Sequence, residues 1–227
     1  FEECLAYLSR IVPRWGKGAI LAECKDEIRK SLTSSINTEV FNFQNKRIGT
    51  IEGVQTSEGP ISESRLFYKL NHDFEFYGSL LIRFIISAIN LEFKFSRKDL
   101  DFLVMQNKLI QQERKGIIRE GLFLALKGEY YQAIHILVPQ LENILRELAE
   151  KCGEAVDTVD KDGVTKYRSL ASILKSEKVN ECLDENLIFL LRGLLVDPFG
   201  PNIRNEIAHG IVTEERSYSG PYIYFIG

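Results

Sequence analysis

The sequence predicts an all-α protein: an antiparallel up-and-down helical bundle over residues 96–227, with an additional N-terminal helical region over residues 1–95. Three observations predict it. Apolar residues recur at alternating three- and four-residue steps over long segments, glycine and proline separate those segments by short connections, and alternating strand patterns are scarce. With 44% hydrophobic and 27% charged residues among 227, the chain can bury a substantial core. No internal repeat is evident.

Taken in order, residues 1–38 carry two short helical patterns broken around Pro13 to Gly18, the second running through Ala22, Ile28 and Leu32. Over residues 41–64 the periodicity collapses among Gly49, Gly53, Gly59 and Pro60, which predicts a mobile loop and an internal boundary. Phe67, Leu70, Phe74, Tyr77, Leu81, Phe84 and Ala88 then form one apolar stripe down a long helix. A second long helix is expected over residues 96–126, opened by Ser96 and Asp99 as a cap and weakened by Gly116 and Gly121. Lys127-Gly128-Glu129 reads as a stop and restart. The next segment, with Ala133, Ile136, Leu137, Leu141, Ile144, Leu145 and Leu148, is the most regular helix; Pro139 should kink it and Gly153 end it. A turn at residues 160–163, a short helix over 169–174 and an apolar helix over 181–196 come next. Pro198 and Pro201 bracket Phe199-Gly200, and Asn202 is placed to cap a helix through Ala208 that Gly210 terminates.

Composition removes several classes of function. A formal charge of −3 gives no global positive field, so any phosphate site must be a local cluster. Cys4, Cys24, Cys152 and Cys182 are widely separated in sequence, with no Cys-x-x-Cys pair and no histidine at ligand spacing. They read as reduced thiols in a cytoplasmic setting, and neither a metal nor a cofactor is expected. The longest apolar run, residues 80–91, is interrupted by Arg83 and falls short of the ~20 residues a bilayer requires, so no membrane segment is expected. The opening at Phe1 and the apolar ending over residues 221–227 read as a piece of a longer polypeptide. Phosphate-binding P-loops, dinucleotide-binding glycine turns, serine-hydrolase elbows and zinc-protease His-Glu-x-x-His helices are missing from the sequence.

Three histidines are present, His72, His135 and His209. His72 stands between Asn71 and Asp73 and reads as solvated, and His135 on an apolar helix reads as a packing residue. On a helix from Ile203, Asn205 and His209 lie four apart, about 40° round the axis, and share a face; Arg204 and His209 are about 140° and ~7.5 Å apart and cannot stack directly. A long arginine can still converge with the imidazole on one phosphate, above all if a second copy of the helix faces the first. Cleavage of RNA by its own 2′-hydroxyl needs a proton acceptor or donor working near neutral pH and a fixed positive charge, which histidine and arginine supply without metal. Asn205 is placed to bond the imidazole or a phosphate oxygen. Glu142 and Arg146, four apart, form a simple helical ion pair or else supply a carboxylate that orients Arg204 or His209 from a neighbouring helix. Arg168 and Arg192 are candidates to add positive charge for RNA binding near the cleft. The mixed charges at Glu113, Arg114, Lys115, Arg119 and Glu120 read as a wet helix face.

Arg204-Asn205-x-x-x-His209-Gly210 resembles the signature of HEPN domains. The longer stretch Asp197-Pro198-Phe199-Gly200-Pro201-Asn202-Ile203-Arg204-Asn205-Glu206-Ile207-Ala208-His209-Gly210 is similar to the motif of one HEPN subgroup long catalogued as a domain of unknown function. Two upstream blocks fit the same subgroup: Gly128-Glu129-Tyr130-Tyr131 leading to Pro139-Gln140-Leu141-Glu142-Asn143-Ile144-Leu145-Arg146, and Asp162-Gly163 followed by Ser169-Leu170. The resemblance covers roughly residues 114–213 and leaves the first 95 or so unmatched. It implies a HEPN-like bundle of four or five helices, a homodimer through the helix from Arg204 to His209, and Arg204, Asn205 and His209 at a dimer-facing cleft. The activity it implies is metal-independent endoribonuclease action in phage defence or RNA turnover; some members are instead non-catalytic RNA-binding or dimerisation modules.

Overall fold

The computed structural model describes the backbone of residues 1–227 and the side chains of all but residues 7 and 8. Two helices open the chain, α1 (Glu2–Ile11) and α2 (Lys17–Lys30). Successive helical turns put Ile20, Cys24 and Ile28 of α2 on one buried face. Strands β1 (Thr38–Phe41) and β2 (Arg47–Ile51) then form an antiparallel hairpin, with Thr38 opposite Ile51 and Val40 opposite Gly49. Its turn is held by Asn42, whose side-chain oxygen accepts the Gln44 and Lys46 amides at 3.0 Å each, and by Asn45 at a left-handed φ of 57°. This corrects the expectation of a loop over residues 41–64 in its first part only, since residues 52–62 between β2 and the next helix carry no regular element. The strands are short, and glycine and polar residues between the buried Val40 and Ile51 hide their alternation.

The expected long helix is present as α3 (Glu63–Tyr77), a π-helical turn (Gly78–Ile82) and α4 (Arg83–Glu92) in succession. The wide turn rotates the α4 side chains relative to those of α3. The buried stripe runs Phe67, Leu70, Phe74, Ile82, Ile86 and Ile89, whereas Phe84, expected inside, is 73% exposed. Residues 63–92 make a 30-residue helix long and apolar enough, by length and composition alone, to cross a membrane. The shorter apolar run over residues 80–91 does not disclose this in the sequence. Seven apolar side chains of the helix, Leu66 among them, are nonetheless buried in the chain's own core, and Lys69 pairs with Asp73 at 2.5 Å and Glu23 at 2.9 Å.

The single helix expected over residues 96–126 is two. Ser96 and Asp99 do form a capping box, but it opens a 3₁₀ turn (Arg97–Leu100) leading into the short α5 (Asp101–Val104). The chain then leaves helical geometry. Asn107 accepts the Leu109 amide at 2.9 Å, an alternative to helical bonding, before α6 (Lys115–Lys127) begins. The two glycines expected to weaken the segment lie inside α6; a Cβ at Gly121 would sit 2.7 Å from Leu137, so this glycine lets the neighbouring helix approach closely.

That neighbour is α7 (Tyr130–Lys151), entered through Gly128 at φ +83° and continuous across Pro139. A second hairpin, β3 (Asp157–Val159) and β4 (Thr165–Tyr167), flanks the predicted turn, with Gly163 at φ +78°. All six strand residues are exposed, so no burial pattern announces them. The short helix expected over residues 169–174 is α8 (Leu170–Leu174), with Ser169 as its cap. The helix expected over residues 181–196 divides into α9 (Glu177–Cys182) and α10 (Glu185–Leu195), because Asp184 accepts the Leu187 amide at 2.9 Å and starts a new helix. The chain ends in α11 (Ile203–Ala208), α12 (Glu214–Ser217) and α13 (Gly220–Ile226).

The molecule is thus mostly helical, with two small antiparallel sheets. Residues on both sides of position 95 contribute to the same buried core. The apolar C-terminal segment belongs to it: Tyr222 and Ile223 of α13 are fully buried, and the Tyr224 hydroxyl donates to the Pro13 carbonyl at 2.5 Å. Cys152 and Cys182, far apart in sequence, are brought near one another, and the neighbouring Cys182 thiol pushes Cys152 above the ordinary thiol range.

Candidate functional site

The turn after α10 is tightly determined. Asp197 accepts the Phe199 amide at 2.9 Å, and a Cβ at Gly200 would lie 1.9 Å from the Gly193 carbonyl, so the loop backbone presses directly on α10. Burial pushes the Asp197 carboxyl above its usual range, against the opposing pull of the Phe199 amide and Arg192. Asn202 comes next at a left-handed φ of 53°, and its carbonyl receives the Asn205 and Glu206 amides that begin α11. Its side chain does not cap the helix in the expected way. Instead, Asn202 Oδ1 accepts from Asn205 Nδ2 at 2.7 Å. At the other end Gly210, at φ +64°, donates to Ile207, and Ile211 to Glu206, which closes the helix at His209 as the glycine stop predicted.

Arg204 points from α11 to α7. Its Nε meets Glu142 Oε2 at 2.8 Å and its Nη2 meets Oε1 at 3.2 Å, while Arg146 Nη2 meets the same Oε1 at 2.7 Å. Both sequence readings of Glu142 therefore coexist: it is the i,i+4 partner of Arg146 and it orients Arg204. It makes no bond to His209. Burial pushes the Glu142 carboxyl up, but the two guanidiniums outweigh burial and hold it below its usual range. Arg204 Nη1 continues the chain by donating to Asn205 Oδ1 at 3.2 Å. Three of the five guanidinium N–H groups are thus engaged, and two remain.

Glu206 and His209 face away from Arg204, into a cavity of about 280 Å³ that Asn205 also lines and Arg204 does not. This is what a five-residue separation on one helix dictates. His209 is exposed at the rim, and among the described residues its ring has no hydrogen-bond partner. The far wall is the β1–β2 hairpin, which contributes Phe41, Asn42 and Phe43; Tyr68 and Asn71 of α3 and the turn residue Phe199 complete the enclosure. The hairpin seats tightly there, since a Cβ at Gly49 would lie 2.7 Å from the Phe199 ring. Arg216 of α12 enters between them, its guanidinium carbon 4.5 Å from the Phe43 ring centroid and its Nε 3.7 Å from Glu206. Glu206 is buried and accepts from the Tyr222 hydroxyl; burial pushes its carboxyl above the usual range, although Tyr222 and Arg216 oppose this.

Sequence reasoning did not find the hairpin residues, Tyr68 or Arg216, because each reaches the cavity only through long-range packing. It placed Arg192 and Arg168 near the cleft, and neither lines it. Arg192 bonds both oxygens of Glu63, at 3.0 and 2.6 Å, and lies over Phe67. Arg168 bonds Glu154, the Ala155 carbonyl and Ser172. His135 Nδ1 sits 2.7 Å from the Tyr131 carbonyl, in keeping with a packing histidine, and His72 is exposed beside the Tyr68 ring. Among the described residues, no three His, Cys, Asp or Glu side chains gather as a metal ligand set. No protein-family model, curated protein or solved structure matches the chain.

Proposed function

We propose that this chain is a metal-independent endoribonuclease of the HEPN type, with a HEPN-like bundle around α7, α10 and α11, acting on single-stranded RNA as a cytoplasmic homodimer. The observation that carries the proposal is the state of the two chemical groups on α11. His209 stands at a cavity rim with both ring nitrogens available, and Arg204 is aimed by Glu142 yet keeps two N–H groups. In this reading the RNA 2′-hydroxyl attacks the adjacent phosphorus. The P–O5′ bond breaks, a cyclic phosphate forms, His209 transfers the proton, and Arg204 neutralises charge on the crowded phosphorane. Two copies facing each other through α11 would bring the arginine of one toward the histidine of the other, which overcomes their divergence on a single helix.

Purified protein incubated with labelled RNA in EDTA tests this reading. His209→Ala and Arg204→Ala should each lower cleavage by about a hundredfold or more, in line with the loss of general acid–base or electrostatic catalysis, with melting temperature tracked alongside. Cleavage unchanged in both variants would overturn it.

One observation favours a second reading, a non-catalytic dimerisation or RNA-binding module. The run Glu142–Arg204–Asn205–Asn202 is bonded internally from end to end, as a structural network would be. On that reading His209→Ala dissociates a dimer or lowers its melting temperature while no variant, wild type included, cuts RNA.

A further inference from the structure

The cavity under the hairpin lies on the side of α11 away from Arg204, and the proposed proton transfer by His209 uses only its rim. Its walls differ in chemistry. Phe43 and Phe199 offer aromatic surfaces, and Phe43, one face of which carries the Arg216 guanidinium, keeps 39% of its surface open to solvent although it lines a cavity. Asn71 and the Tyr68 hydroxyl have no hydrogen-bond partner among the described residues, and Asn42, with its oxygen committed to the turn, keeps its amide N–H₂ uncommitted. Arg216 adds a guanidinium that is ion-paired with the lining Glu206 at 3.7 Å but donates no side-chain hydrogen bond among the described residues, its buried Nε having no partner within bonding distance. Flat apolar faces, amide and hydroxyl groups at their edges and one cation together suit an unstacked nucleobase followed by a phosphate.

We infer that this cavity is a base-binding subsite, which holds one splayed-out nucleotide of a single-stranded RNA against Phe43 and Phe199 and presents its backbone at the His209 rim. The inference rests on the nuclease reading for the identity of the strand, but not for the existence of the subsite. At about 280 Å³ the space is at the lower edge of the ~300–1,000 Å³ usual for small-molecule sites, room for one planar group rather than a stacked pair. A duplex would have to flip a base to use it, so the cavity selects single strands. The β1–β2 hairpin thereby acquires a role: it is the outer wall of the subsite, fixed in place where Gly49 meets Phe199.

The test uses fluorescence anisotropy at one fixed salt concentration, with a labelled 2′-O-methyl RNA oligonucleotide, which has no attacking hydroxyl and stays uncut. An abasic strand of the same length serves as the comparison. The wild-type chain should bind the base-bearing strand about tenfold tighter, which is ~1.4 kcal/mol and within the reach of one base–aromatic stack. Phe43→Ala and, on a separate wall, Asn71→Ala should each shrink that preference. Because both replaced residues are partly exposed, folding is checked by melting temperature. Equal binding of the two strands by the wild type, absence of binding to either, or a preference untouched by Phe43→Ala would overturn the inference. Base-dependent binding in a protein that fails to cut RNA in EDTA would leave the subsite standing and remove the nuclease.

Discussion

Glu142 decides the behaviour of two arginines at once. Removing its charge leaves Arg146 and Arg204, both mostly buried, facing each other without a counter-ion. Glu142→Gln should therefore cost roughly 2–4 kcal/mol in urea unfolding, comparable to breaking a buried pair from one side. The pH dependence has a definite sign. A carboxyl held below its usual range contributes stability that is present above that range and is lost as pH falls through the depressed folded value. Glu206 works in the opposite sense: its raised folded value gives a contribution present below the ordinary carboxylate range and lost as pH rises through the raised value. Unfolding measured from about pH 7 down to about pH 3 should show a shallower acid-side loss in Glu142→Gln than in the wild type, and a steeper one in Glu206→Gln. At this scale much was legible. Arg204, Asn205, His209 and their glycine stop stand within one motif, and the Glu142–Arg146 spacing is a local helical property. Arg216 and Phe43 were not, since nothing in a sequence says that residue 43 will lie over residue 216.

Among the elements, the π turn in the helix over residues 63–92 is the sharpest departure from simple periodicity. Counting by threes and fours places Phe84 inside; the wider turn buries Ile82, Ile86 and Ile89 instead. Ile82→Ala should destabilise the fold by roughly 2–4 kcal/mol, whereas Phe84→Ser should change it by less than about 0.5 kcal/mol, as read by urea unfolding. Equal effects would mean that the helix keeps its unshifted phase. The cause is tertiary and so invisible to local counting: a Cβ at Gly78 would lie 1.8 Å from the Gly220 carbonyl, which shows how closely α13 is pressed against this turn. Gly200 is the same kind of contact at the motif. Gly200→Ala should cost at least about 2 kcal/mol, because the obstructing Gly193 carbonyl is backbone and cannot swing away. The hairpins escaped the sequence reading for a different reason: strands of three to five residues carry too few alternations to register.

For the whole molecule, the helical class follows from composition and periodicity, and the division near residue 95 does not carry through to the packing. Leu66, Phe67 and Leu70 from one side share a core with Ile188, Phe189 and Leu194 from the other, and Phe67 stacks on Phe189 with centroids 5.0 Å apart. Tyr224 joins the last helix to Pro13 near the first. Chemical unfolding followed by far-ultraviolet and near-ultraviolet circular dichroism should therefore give one coincident transition, and two separated transitions would mean that the halves are independent. The same continuity carries the functional argument, because the N-terminal hairpin and α3 complete a cavity whose chemical groups come from the C-terminal motif.

The most direct test of the central claim is cleavage of labelled single-stranded RNA in EDTA by the wild type and by His209→Ala, with both proteins shown to melt at the same temperature. The account predicts cutting by the wild type that leaves a cyclic phosphate, and a loss of about a hundredfold or more in the variant. Equal cutting by the two proteins, or no cutting by the wild type on any single-stranded substrate, would contradict it.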